Sequence, residues 1–198
     1  SAGANSAAGG LFGECTVSGN DAGLDLTSYT INNISITSGK YAGGVFGVLQ
    51  NGAESGGTLK MEAGVGGNVS STGDGVENYG GLIGKYEAKN LASALELKNI
   101  QITSSHNETK KTAYAGEIAE VTGKSYVKMD DLTVVVNQEV ENGSYFGGLV
   151  ANCSADDASG FFDIGTVTIS SENNNTVNKE GASGGLVGNL TDGVVRLY

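Results

Sequence analysis

The chain has 198 residues, 33 of them glycine, with no proline and no tryptophan. Its formal net charge is −11 and its only arginine is Arg196, a balance that excludes nucleic-acid binding, because phosphate neutralisation needs clustered Lys and Arg. No apolar run approaches the ~18 residues of a membrane helix, and alternating Val, Ile and Thr without proline point to strand ladders rather than glycine-rich disorder.

In chain order, the first predicted element is a strand reading AGGLFGEC over residues 8–15. A flank of period two follows, Tyr29-Ile31-Ile34-Ile36, bent at Asn32-Asn33. The glycine strand returns as AGGVFGVL (42–49), after which the flank keeps only Leu59-Met61 and becomes glycine-rich. It returns as YGGLIGKY (79–86), with a flank of Leu95-Leu97-Ile100-Ile102 bent at Lys98-Asn99. Then comes YAGEIAEV (114–121), with Val127-Met129-Leu132-Val134 bent at Asp130-Asp131. FGGLVANC (146–153) follows, with Phe162-Ile164-Val167-Ile169 bent at Gly165-Thr166, and SGGLVGNL (183–190) is the last copy. Asn, Asp and Gly suit such bends because they tolerate left-handed backbone. Polar stretches such as 70–78, 103–112 and 170–182 read as returns between units.

The second glycines of the phrase are Gly10, Gly44, Gly81, Gly116, Gly148 and Gly185, separated by 34, 37, 35, 32 and 37 residues. Two places on stand Phe12, Phe46, Ile83, Ile118, Val150 and Val187, always apolar and therefore inward. The next column is always tiny (Gly13, Gly47, Gly84, Ala119, Ala151, Gly188), which is expected to leave space for the inward residue. The column after that varies freely (Glu14, Val48, Lys85, Glu120, Asn152, Asn189) and is expected to face outward. The place directly after the glycines is aliphatic except at Glu117, which leaves its facing open.

One such unit cannot bury its apolar side alone, but stacked units can. The pattern predicts an all-β chain folded as a parallel β-solenoid, a three-sided β-helix of about five coils with repeats near 35 residues, rising about 4.8 Å per coil. The competing architecture, a β-sandwich with glycine-rich turns, gives no reason for six aligned columns of tiny residues. The chain reads as a single solenoid segment, residues 1–198, of a longer protein.

The phrases Gly-Gly-Leu-Phe-Gly (9–13), Gly-Gly-Leu-Ile-Gly (80–84) and Gly-Gly-Leu-Val-Gly (184–188) resemble the GLUG motif of bacterial surface proteins. Such repeats occur in large adhesin-like proteins and in non-catalytic parts of bacterial immunoglobulin A proteases. Gly116-Glu117-Ile118-Ala119 departs from the motif. The resemblance implies an extracellular location on the bacterial cell surface and names no active site.

The residues with chemical potential fit structural roles. Cys15 and Cys153 share a column four coils apart, about 19 Å by strand spacing, whereas a disulfide needs Cα atoms within about 7 Å. Both are expected to be free, buried thiols. His106 stands alone in a polar return, without partners for a metal or a catalytic triad. Acidic residues gather at Asp21/Asp25, Asp74/Glu77, Asp130-Asp131 and Asp156-Asp157, without the spacing of an EF-hand loop. Four sequons, at Asn33, Asn68, Asn107 and Asn142, are expected from an Asn/Ser/Thr-rich composition. The aromatics Tyr41, Tyr79, Tyr114 and Phe146, just before the glycine strands, read as one repeat feature.

No catalytic, cofactor-binding or metal-binding residue is assigned, and no cofactor is expected. The expected role is a structural or adhesive segment of a bacterial surface protein, with a host protein or glycan as ligand and neighbouring repeats or domains of the same chain as partners. Contact is expected on the long returns at 70–78 and 103–112. The alternatives are a β-helix enzyme or binding module acting on polysaccharide, or a non-catalytic part of a surface protease.

Overall fold

The structure is a computed structural model that describes residues 6–19, 22–52, 59–89, 94–108, 113–140, 143–155, 161–171 and 177–198. The strands in chain order begin with β1 (Ala7–Gly9), β2 (Phe12–Val17), β3 (Leu24–Thr27), β4 (Thr30–Asn32), β5 (Ser35–Gly43), β6 (Phe46–Asn51) and β7 (Leu59–Glu62). They continue with β8 (Val65–Gly80), β9 (Ile83–Ala88), β10 (Ala94–Glu108), β11 (Ala113–Ala115), β12 (Ile118–Gly123) and β13 (Tyr126–Val140). The last are β14 (Gly143–Gly147), β15 (Val150–Ala155), β16 (Phe161–Ile164), β17 (Val167–Ser171), β18 (Val177–Gly184), β19 (Val187–Asp192) and β20 (Val194–Leu197).

The glycine strands form one parallel wall in the order β2-β6-β9-β12-β15-β19. Phe12, Phe46, Ile83, Ile118, Val150 and Val187 lie in single file, one per rung. The remaining strands form a larger parallel sheet around the rest of each coil. The chain is therefore a parallel β-solenoid with a repeat near 35 residues, as the columns require.

Phe46, Ile83, Ile118 and Val150 are fully buried, whereas Phe12 is 40% exposed because it lies in the first rung. Its ring stacks on Phe46 at 5.1 Å between centroids. Each buried aliphatic or aromatic side chain contributes roughly 1.5–3 kcal/mol from area removed from water.

The glycine pair has two separate reasons. A Cβ at the first glycine would strike the carbonyl oxygen three residues on, at 2.2 Å for Gly43 and 2.1 Å for Gly80, because the chain folds sharply onto itself. A Cβ at the second would strike the glycine carbonyl of the next rung, at 2.3 Å for Gly44 and 2.0 Å for Gly81. The two amides that follow then donate to one carbonyl a rung on. Val45 and Phe46 donate to the Leu82 oxygen at 2.9 and 3.0 Å, and Leu82 and Ile83 to the Glu117 oxygen at 3.0 and 2.9 Å.

The tiny column serves a different purpose from the one expected. Its members do not clear space for the inward side chain. They let the strand before the glycine pair pack against the strand after it, so that a Cβ at Gly84 would lie 2.5 Å from the Ala42 nitrogen. Where the column holds alanine, Ala119 and Ala151 join Ala113 and Ala115 in a small apolar cluster of their own.

Three further expectations are corrected. In the first rung, Leu24 and Leu26, not Tyr29 and Ile31, align with Leu59-Met61 and Leu95-Leu97. The expected bend at Asn32-Asn33 is present, with φ of 54° at Asn33, but the corner that aligns with Ala63 (52°), Asn99 (50°) and Asp131 (53°) is Ser28, at 59°. Ala63 carries no turn signal, so composition hid the column to which this corner belongs. Tyr29 instead lays its ring over the next rung, where Gly64 has no side chain; a Cβ there would lie 2.2 Å from the Tyr29 ring. Second, the polar stretches 70–78 and 103–108 are strand rather than loop, lying inside β8 and β10 with Ser71, Val76 and Ser104 buried. Positions 109–112 lie outside the described residues. Third, the aromatic set is not one column. Tyr79 and Tyr114 pair in register with Phe146 and are buried, whereas Tyr41 pairs with Asn78 and faces out.

Candidate functional site

The outer face of the glycine wall carries two adjoining columns of side chains, polar except at the buried Val48. One is Glu14, Val48, Lys85, Glu120, Asn152 and Asn189; the other includes Thr16, Gln50, Glu87 and Thr122. Tyr41, projecting from the strand before the second glycine pair, borders them. Glu14, Tyr41, Val48, Gln50 and Lys85 line a groove of about 370 Å³, and a smaller one of about 180 Å³ continues past Gln50 to Asn51, Glu87 and Lys89.

Charged groups border the groove's aromatic ring. The Lys85 and Lys40 ammonium groups lie 5.5 and 5.4 Å from the centre of the Tyr41 ring. Lys85 also pairs with Glu87 at 3.0 Å. Burial, followed by the charge and hydrogen bond of Glu120, pushes the Tyr41 phenol up to about 12, so it stays a neutral donor. Thr16 donates its hydroxyl proton to the Gln50 side-chain oxygen at 3.2 Å. An aromatic ring edged by hydroxyl, amide, ammonium and carboxylate groups suits a polyhydroxylated ligand chemically.

A second polar feature lies inside the core. Glu117 is fully buried at a place where the neighbouring rungs carry Leu82 and Leu149. Neither carboxyl oxygen has a hydrogen-bond partner among the described residues. Burial holds this carboxyl well above the usual range.

A third feature, on the larger sheet, was not found in the sequence. Register places Asp25, Lys60, Glu96, Lys128, Asp163 and Arg196 in one file, with charge alternating at every rung. Lys128 bonds Glu96 at 3.0 Å and Arg196 approaches Asp163 at 3.5 Å, while Lys60 turns to Glu62 beside it. Tyr126 donates its hydroxyl proton to Asp163, and the Arg196 guanidinium lies 4.5 Å from the centre of the Phe161 ring. Lys60, Glu96, Lys128 and Asp163 stand between apolar pairs that the sequence pattern already aligns, so the alternation was legible there; only Asp25 needed the first rung in its correct phase.

Among the described residues, the sequence-derived candidates do not converge. Cys15 and Cys153 form no disulfide and lie in one column, with Leu49, Tyr86 and Val121 between them. Asp131 holds the left-handed corner, and Asp130 accepts a hydrogen bond from the Thr166 amide at 3.1 Å. Asp25 belongs to the charge file. Asp21, Asp156 and Asp157 lie outside the described residues, as do the side chains of His106 and Asp74. Among the described residues no group of three or more His, Cys, Asp or Glu side chains is arranged to hold a metal ion. No helix among them is long and apolar enough to cross a membrane.

Comparison with family models, with curated proteins and with solved structures finds no significant match.

Proposed function

We propose that this chain is a structural and adhesive segment of a large bacterial cell-surface protein, a stiff β-solenoid that presents a binding wall and carries out no catalysis of its own. The observation that carries this reading is the continuity of the glycine wall, six rungs in register with an unbroken inward file from Phe12 to Val187. A core built this way resists bending, because each rung is hydrogen-bonded and packed to the next. The likeness of the glycine phrases to GLUG repeats supports the extracellular location.

The Tyr41 groove favours a second reading in which the wall is a polysaccharide-binding module. Binding of the purified chain to a panel of glycans, with reducing-end release followed in parallel, tests both. The expected result is retention of one or more glycans without cleavage, weakened at least about tenfold by Tyr41→Ala. Cleavage of a glycan by the chain would replace the passive reading with an enzyme. Binding unaffected by Tyr41→Ala would move the contact to another face.

A further inference from the structure

The larger sheet presents a face that is close to neutral in a chain of net charge −11. Three outward files run along it, rung by rung. The middle one is the charge file, Asp25, Lys60, Glu96, Lys128, Asp163 and Arg196. On one side of it stand Ala94, Tyr126, Phe161 and Val194, and on the other Thr27, Glu62, Lys98 and Asp130. Five carboxylates and four cations share these files, so the repulsion that keeps two acidic chains apart is relieved at this face. The Lys128–Glu96 pair remains reachable from outside, its side chains being 45% and 36% exposed.

Alternation at every rung has a consequence under symmetry. A two-fold axis along the strands, passing between Glu96 and Lys128, reverses the order of rungs and sets each charge against its opposite. Glu96 then faces Lys128 of the second copy, Lys60 faces its Asp163, and Lys98 in the neighbouring file faces its Asp130. In the third file the same axis sets the small Ala94 against the Tyr126 ring. An axis one rung further on would crowd Tyr126 against Phe161 and leave Asp130 opposite Gly165. Bulk and charge therefore agree on the axis between Glu96 and Lys128.

We infer that this face of the larger sheet binds the same face of a second copy of this chain across that axis, the two stacks lying antiparallel. The partner is a second copy because another stack with the same rise repeats its charges at the matching interval of about 4.8 Å. At the centre, Glu96 and Lys128 of both copies form a ring of four alternating charges, a network rather than an isolated surface pair. The contact is isologous, so it closes at two copies. Six rungs at about 4.8 Å by five residues at about 3.3 Å bury roughly 1,000 Å² over both copies, the low end of specific interfaces, and the dimer is reversible. The face lies on the flank of the solenoid, so coils added at either end of the stack leave it open. Such pairing goes beyond the proposed role of a single stalk and does not involve the glycine wall.

Sedimentation velocity over a concentration series tests this. The wild-type chain is expected to pass from monomer to dimer with no larger species, and less readily as salt rises. Glu96→Lys and Lys128→Glu should each weaken dimerisation at least about tenfold, because each sets like charges together across the axis. Lys98→Asp, at an exposed position beside them, is a second probe and should act in the same direction. The melting curve of each variant is expected to stay close to that of wild type. Mixed in equal amounts, the Glu96→Lys and Lys128→Glu chains should pair again, because each copy then offers the charge that the other lacks. A ladder acting only within one chain gives no such rescue. A wild-type chain that stays monomeric, a dimer indifferent to all three substitutions, or folded variants that fail to pair when mixed would each overturn the inference.

Discussion

Glu117 occupies the core place that Leu82 occupies one rung earlier, and its backbone carbonyl accepts the Leu82 amide at 3.0 Å. The backbone is thus undisturbed by a carboxyl group whose two oxygens lack hydrogen-bond partners among the described residues. Burial raises its pKa in the folded chain above the ordinary carboxyl value of about 4.3 expected when unfolded. The folded state therefore holds a proton that the unfolded state releases. This contribution to stability is fully present below the unfolded pKa and is lost as pH rises towards the folded one. Glu117→Leu is expected to stabilise the chain at pH 7.5 by about 1–3 kcal/mol, with a smaller gain at pH 4.5. Denaturant melts of both proteins at the two pH values check the sign. Equal gains at both would show that the carboxyl does not titrate differently in the two states.

The inward and outward columns predict opposite costs two residues apart. Ile83 is fully buried in the middle of the file, so Ile83→Asp places a charge among apolar rungs and should unfold the surrounding coils. Lys85 is a partly exposed partner of Glu87, and Lys85→Ala should cost less than about 1 kcal/mol. Circular dichroism melts of the two variants decide the point.

The tiny column can be tested by adding one methyl. A Cβ at Gly84 meets backbone atoms of Ala42 and Gly47 at 2.5–2.8 Å, and backbone cannot rotate away as a side chain can. Gly84→Ala should destabilise by about 1–3 kcal/mol, measured by denaturant unfolding. A neutral result would mean that the two strands are not held at this distance.

Ala63 sits at a left-handed corner with φ of 52°, a conformation that costs an L-residue about 1–2 kcal/mol. Ala63→Gly removes the crowded Cβ but adds freedom to the unfolded chain. The net expectation is a gain of about 0.5–1 kcal/mol in the midpoint analysis of a urea melt. The same change at an extended, buried position would destabilise.

The two cysteines should behave as free thiols of unequal access. Cys153 is fully buried, with its thiol directed at the Asp192 carbonyl 3.6 Å away, whereas Cys15 lies in the partly open first rung, where burial still raises its pKa. Thiol-reactive dye should label Cys15 first under native conditions and both after denaturation. A chain that binds no dye when denatured without reductant would indicate a disulfide and contradict the register.

The repeat was legible in sequence because a stacked solenoid turns residues one period apart into vertical neighbours, and burial then imposes the same chemistry on each column. The inward file, the outward file, the free cysteines and the corners at Asn99 and Asp131 followed from that alone. What composition could not supply was the phase of the first rung, since Ser28 and Asn33 are both left-handed there and Ala63, the next residue in the corner column, carries no turn signal. With that phase wrong, Asp25 could not be seen to continue the alternation of Lys60, Glu96, Lys128 and Asp163. The Tyr41 groove was hidden for a similar reason. A side chain's face depends on how sharply the chain folds back at the glycine pair, and that angle comes from backbone contacts between rungs rather than from any one residue's preference.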